Sequence, residues 1–166
     1  MKTNIKKVTT ISLFIAIIFI ITRFIQIPIP LGYLCLSNAF ILLGAILVGF
    51  PYGIIIGAVG SSLADLVSFP VYTVPTLIIK GLMPLVFYLC CKVPIKNKYA
   101  RYFTSGCISM LIPVIGYVIT GSFLYGGLEE GLLALPGLII EYVVNCILFV
   151  PLINISFRLK KELNKE

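Results

Sequence analysis

Residues 11–26 read ISLFIAIIFIITRFIQ, an apolar run whose one charged side chain, Arg23, stands close to its end. Extended back to Val8 and on to Ile27, a helix of this sequence reaches about 30 Å, the thickness of a bilayer's hydrocarbon core. Similar runs recur along the whole chain of 166 residues, which is 60% hydrophobic and 11% charged, with a mean hydropathy of +1.11. Such a composition leaves no room for a water-soluble domain. It predicts an all-α membrane protein, a single integral domain over 1–166. A cleavable secretory signal would have a short apolar core and a small-residue cleavage site, so the first run is read as a retained span.

Proline and glycine punctuation divides the chain into six helices, over 8–27, 37–50, 52–68, 75–92, 102–125 and 135–158. The second is short for a full span, and the GFPYG turn makes it and the third an antiparallel hairpin. With a cytoplasmic N-terminus, eleven of the thirteen basic residues fall on the inner side. They are Lys2, Lys6 and Lys7, then Lys92, Lys96, Lys98 and Arg101, then Arg158, Lys160, Lys161 and Lys165. Glu129 and Glu130 fall in an outer loop. This asymmetry predicts a six-transmembrane-helix bundle with both termini cytoplasmic, and it explains the net charge of +7 without nucleic acid. On the third helix Gly53, Gly57 and Ser61 repeat at spacing four, beside Gly60 and Ala64, a pattern for close helix packing.

That topology gives the few polar residues a depth. Arg23, Asn38, Asp65, Lys80, Glu141 and Asn145 come from five helices and converge in the outer third of the membrane. An isolated charge there costs about 2.5–3.5 kcal/mol on insertion scales, so such groups face the interior and find partners. Asp65 with Lys80, and Arg23 with Glu141, are the expected pairs. Glu141 and Asn145, one turn apart, suit a polar ligand. Tyr33, Phe69, Tyr72, Tyr117, Tyr125 and Tyr142 offer flat apolar faces, with an interfacial aromatic belt as the alternative reading. The candidate substrate-binding residues are therefore Tyr33, Asn38, Asp65, Tyr72, Lys80, Tyr117, Glu141 and Asn145.

Other chemistry finds little support. The chain has no histidine, and Cys35, Cys90, Cys91, Cys107 and Cys146 lack metal-ligand spacing, so no metal or cofactor is expected and the cysteines read as packing residues. No nucleotide motif or catalytic constellation is present, which predicts a protein that is not an enzyme. No broken helix pair or inverted repeat suggests an alternating-access carrier.

Residues 32–82, GYLCLSNAFILLGAILVGFPYGIIIGAVGSSLADLVSFPVYTVPTLIIKGL, resemble the substrate-binding S components of energy-coupling factor (ECF) vitamin transporters, in particular the riboflavin-type branch. The resemblance implies a subunit of the bacterial cytoplasmic membrane that binds one vitamin or precursor at its outer face. It also implies partners: a transmembrane coupling protein and two cytoplasmic ATPases, on which the S component docks and toward which it topples to release its ligand. Small residues four apart on the first helix carry that docking in the family, and Ser12 and Ala16 match them. The branch commonly has glutamine where Glu141 stands and often aspartate where Asn38 stands. Those departures, with a short first outer loop, point toward a compact single ring: a vitamin B6 form such as pyridoxine, or the hydroxymethylpyrimidine precursor of thiamine. A riboflavin-binding S component and an independent small-solute facilitator are the alternatives. A facilitator would line the whole membrane thickness with polar residues, whereas the inner halves of these helices are apolar.

Overall fold

The computed structural model describes residues 2–29 and 32–163. Pro30 and Leu31 of the first loop, and the basic Lys165, lie outside the described residues. Helix α1 (Lys2–Phe24) leads into a hairpin of β1 (Ile27–Ile29) and β2 (Gly32–Leu34). Then come α2 (Ser37–Val48), α3 (Tyr52–Ser68), a 3₁₀ turn at Pro70–Tyr72 and α4 (Thr73–Cys91). The chain continues through α5 (Lys98–Ser109), α6 (Leu111–Tyr125), the short α7 (Leu128–Leu133) and α8 (Leu135–Leu163).

Four helical stretches, 5–24, 70–91, 98–125 and 135–161, are long and apolar enough to cross a membrane, and α2 and α3 are shorter apolar helices. The architecture is that of a helical membrane protein, and its surface agrees. Ile5, Phe24, Phe50, Val74, Phe123 and Ile147 are all 60% or more exposed, while Lys80 and Asn145 are 1% and 0% exposed. Polar inside and apolar outside inverts the arrangement that water selects.

Two departures from the sequence reading follow from prolines. The first helix stops at Phe24 instead of Ile27 because Pro28 donates no hydrogen bond and biases Ile27 toward extended backbone. The strands pair antiparallel with Ile27 opposite Leu34 and Pro28 opposite Tyr33, so the helical chain also carries a small hairpin. The expected fifth helix is broken at Met110 into α5 and α6. Pro113 lacks the N–H that would reach the Ser109 carbonyl, and its ring crowds that carbonyl. A helix that reads as unbroken in the sequence is therefore two segments. Asn97 starts α5 earlier than expected, its side chain accepting from the Tyr99 and Ala100 amides.

Helix α3 packs against α1, α2 and α4, while α2 also lies on α8. The small residues of α3 make this possible, as their spacing suggests. A Cβ added to Gly57 would lie 2.5 Å from the Lys80 carbonyl oxygen, and one on Gly60 would lie 2.9 Å from Ile18. Gly57 thus seats the backbone of α4 at Lys80. One end of the bundle is an apolar core where Phe87 meets Phe149 edge-on at 6.4 Å and Tyr102 at 6.1 Å. Among the described residues every buried charged one, Asp65, Lys80 and Glu141, lies at the hairpin end, while Ser105, Ser109 and Ser156 are buried toward the other.

Gly57→Ala should lower the thermal midpoint of the detergent-purified protein, with an overpacking cost of about 1–3 kcal/mol. Gly81→Ala is the control, since its Cβ would make only ordinary contacts at 3.4 and 3.6 Å and should leave the midpoint nearly unchanged. Equal effects would show that the α3–α4 approach is not the tight point.

Candidate functional site

At the hairpin end, α2, α4 and α8 each contribute one polar residue to a buried cluster. The Asn38 amide links the other two: its nitrogen donates to Glu141 Oε1 at 2.8 Å, and its oxygen accepts from the Lys80 ammonium. Lys80 Nζ lies 3.7 Å from Glu141 Oε1 and 5.5 Å from the centre of the Tyr117 ring. Asn145 braces this cluster from behind. Its oxygen accepts from the Ala39 amide at 3.1 Å, and its nitrogen donates to the carbonyls of Cys35 and Glu141.

Across from this cluster, Asp65 of α3 accepts a hydrogen bond from the Tyr33 hydroxyl on β2 and faces Thr76. Burial and the neighbouring carboxylate push the Tyr33 phenol well above its ordinary value, so it remains a donor. The Tyr33 ring leans on Phe69 with centroids 5.4 Å apart, and Tyr72 meets Tyr117 at 6.2 Å.

Between the two polar groups lies a cavity with about 540 Å3 of atom-free space, counting its open mouth. Its walls are apolar rings and short chains with a few convergent polar groups, the usual make-up of a small-molecule site. Six of the eight residues expected to bind substrate line it: Tyr33, Asp65, Tyr72, Lys80, Tyr117 and Glu141. Asn38 and Asn145 stand behind that wall and orient Glu141 and Lys80. Tyr125 is exposed, and Tyr142 packs against the apolar core.

Both expected ion pairs are replaced. Lys80 pairs with Glu141, not Asp65, because its backbone rests on Gly57, two turns of α3 or about 12 Å before Asp65. From there its side chain reaches α2 and α8. Arg23 is half-exposed at the end of α1 beside the Phe24 ring, while the Glu141 carboxylate is already held by Lys80 and Asn38.

Comparison with known proteins bears directly on this arrangement. The family model described as ECF-type riboflavin transporter, S component, matches residues 2–158. The chain belongs to that family. The match extends the resemblance seen in residues 32–82 to nearly the whole chain, and makes this a multi-pass membrane protein and the substrate-binding subunit of an ECF transporter. An uncharacterised protein of Pyrococcus woesei is 35% identical over 107 residues, which cover 63% of this chain and 71% of that protein.

The S component's cavity also includes residues that sequence reasoning passed over. Ser61, Thr76 and Thr22 line it, as does Cys35, which was read as packing and instead lies 3.7 Å from Glu141 Oε1 and 3.8 Å from Lys80 Nζ. A signal was available for two of them. Ser61 precedes Asp65 by four residues and Thr76 precedes Lys80 by four, so each shares a helix face with a charge already singled out.

Lys80→Met should destabilise the S component strongly, by about 3–5 kcal/mol, because it leaves the Glu141 carboxylate buried without its cation. Adding Glu141→Gln to that variant should recover part of the loss, read as thermal midpoints in a double-mutant cycle. Strict additivity would mean that the two side chains do not act as a pair.

Proposed function

We propose that this S component captures a compact, single-ring vitamin or precursor, a vitamin B6 form or hydroxymethylpyrimidine, from outside the cell. The observation that carries this reading is the Glu141–Asn38–Lys80 cluster on one wall of an aromatic-lined cavity. In it a carboxylate and an ammonium are held at fixed positions where hydroxyls and ring nitrogens of such a ligand can reach them. Glutamate at 141 accepts hydrogen bonds without donating any, which separates this site from one built around glutamine. Riboflavin is the second reading, favoured by the description of the matching family.

In this reading the chain crosses the membrane six times with both termini cytoplasmic, and the hairpin end with its cavity faces outward. The basic residues at the opposite end support that orientation. The energy comes from two cytoplasmic ATPases through a transmembrane coupling protein. Ser12 and Ala16 are both exposed on α1, which supports their use as the small-residue face for that partner.

Uptake of labelled ligand by cells should require both this chain and the ATPases, and uptake that persists without the ATPases would point to a facilitator. Glu141→Gln leaves the buried Lys80 ammonium with neutral acceptors alone, so it should lower the thermal midpoint, and in the folded protein it should change affinity for the cognate ring by about tenfold or switch its preference, measured by titration. Unchanged binding would give Glu141 a structural role. Ala16→Leu should leave ligand binding intact while abolishing uptake and co-purification with the coupling protein. Retained co-purification would place the docking face elsewhere.

A further inference from the structure

We infer that the cavity selects a ring compound that bears an amino group, and that Asp65 receives that amine. This deepens the reading of the cavity as the vitamin site and rests on it.

The charges facing the cavity do not balance. Asp65, Lys80 and Glu141 all line it, giving two carboxyls and one ammonium. Lys80 is committed to Glu141 and Asn38. Asp65, only 2% exposed, is met by the hydroxyls of Tyr33 and Thr76, and among the described residues no cation lies within 4 Å of it. Lys80 acts on Asp65 only from beyond ion-pair distance, and a buried carboxyl whose direct contacts are neutral donors gains most from a partner that brings positive charge or additional N–H groups.

The surroundings suit such a partner. The Tyr33 and Phe69 rings flank Asp65, and Tyr72 and Tyr117 form the next wall, so a cationic or electron-poor ring entering between them meets aromatic faces. Ser61 sits one helical turn before Asp65, and its buried hydroxyl, like that of Thr22 on α1, meets no hydrogen-bond partner among the described residues. Orphaned hydroxyls are uncommon in dry interiors, and these two line the same cavity. They supply hydrogen bonds to a ring nitrogen or hydroxyl, while Asp65 takes the amine. A ligand offering no donor would leave Asp65 as it is in the empty protein and gain nothing there.

The test is titration of the purified full chain with matched pairs. These are 4-amino-5-hydroxymethyl-2-methylpyrimidine against its 4-oxo counterpart, and pyridoxamine against pyridoxine, with riboflavin as a further probe. The amino member of at least one pair should bind about tenfold tighter or better, about 1.4 kcal/mol. Asp65→Asn should bring that ratio to within about twofold while the hydroxy or oxo member binds as before. Hydroxy or oxo members binding as tightly as their amines would overturn the inference, as would an amine preference that survives Asp65→Asn. Should that variant fail to fold, the wild-type ratios and Asp65→Ser decide the matter. Binding of riboflavin alone would overturn the amine selectivity and leave the vitamin-binding reading standing. Binding of none of the five compounds would overturn both.

Discussion

The Asn38 amide, with Lys80 on its oxygen and Glu141 on its nitrogen, is the interaction on which the rest of this structure depends. It joins three helices distant in sequence, and does so with groups that are costly to bury separately. A lysine and a glutamate in an apolar interior are tolerable only where each finds a partner and the remaining lone pairs and protons are used. Asn38 satisfies that condition for both, because one amide carries a donor and an acceptor in fixed relation. The arrangement holds a charge pair at the wall of a cavity, where leucines would have packed more cheaply but bound nothing polar.

Around that network the bundle divides along its length into an apolar end and a polar one. The end opposite the hairpin is filled by aromatic and aliphatic side chains that interlock, with the small residues of α3 letting three neighbouring helices approach. The hairpin end trades packing for polarity, and its cavity survives because the surrounding helices are fixed elsewhere. Gly57 connects the two halves, since the absence of a side chain there sets how deep Lys80 enters. Apolar packing is concentrated in one half and the polar-lined cavity in the other.

Much of this was legible from the chain. Hydropathy and punctuation give the helices, and the bounds of α3 coincide with the expected 52–68. The polar residues could be given a depth because rise per residue is a constant of the helix. What depth cannot provide is azimuth, the direction each side chain faces around its helix. Asp65 and Lys80 were close in sequence and height, yet the rotation of α4 on Gly57 sends Lys80 to Glu141. The hairpin at 27–34 was hidden because three-residue strands carry almost no periodicity. Cys35 and Ser61 were hidden because a cysteine and a small serine are equally at home in packing. The break at Met110 was written in Pro113, whose effect falls three to four residues upstream where no unusual residue marks it.

The amino end of α2 bears on how the molecule is assembled. Leu36 precedes that helix and gives it no side-chain cap, and the Ala39 amide is met by Asn145, 106 residues later. A chain emerging from the ribosome has long since produced α2 by the time Asn145 appears. Until α8 arrives, that helix carries an unmet backbone donor and Asn38 lacks Glu141. Helix α8 is therefore the one that completes the second, and the interior becomes whole only after α8 has been made.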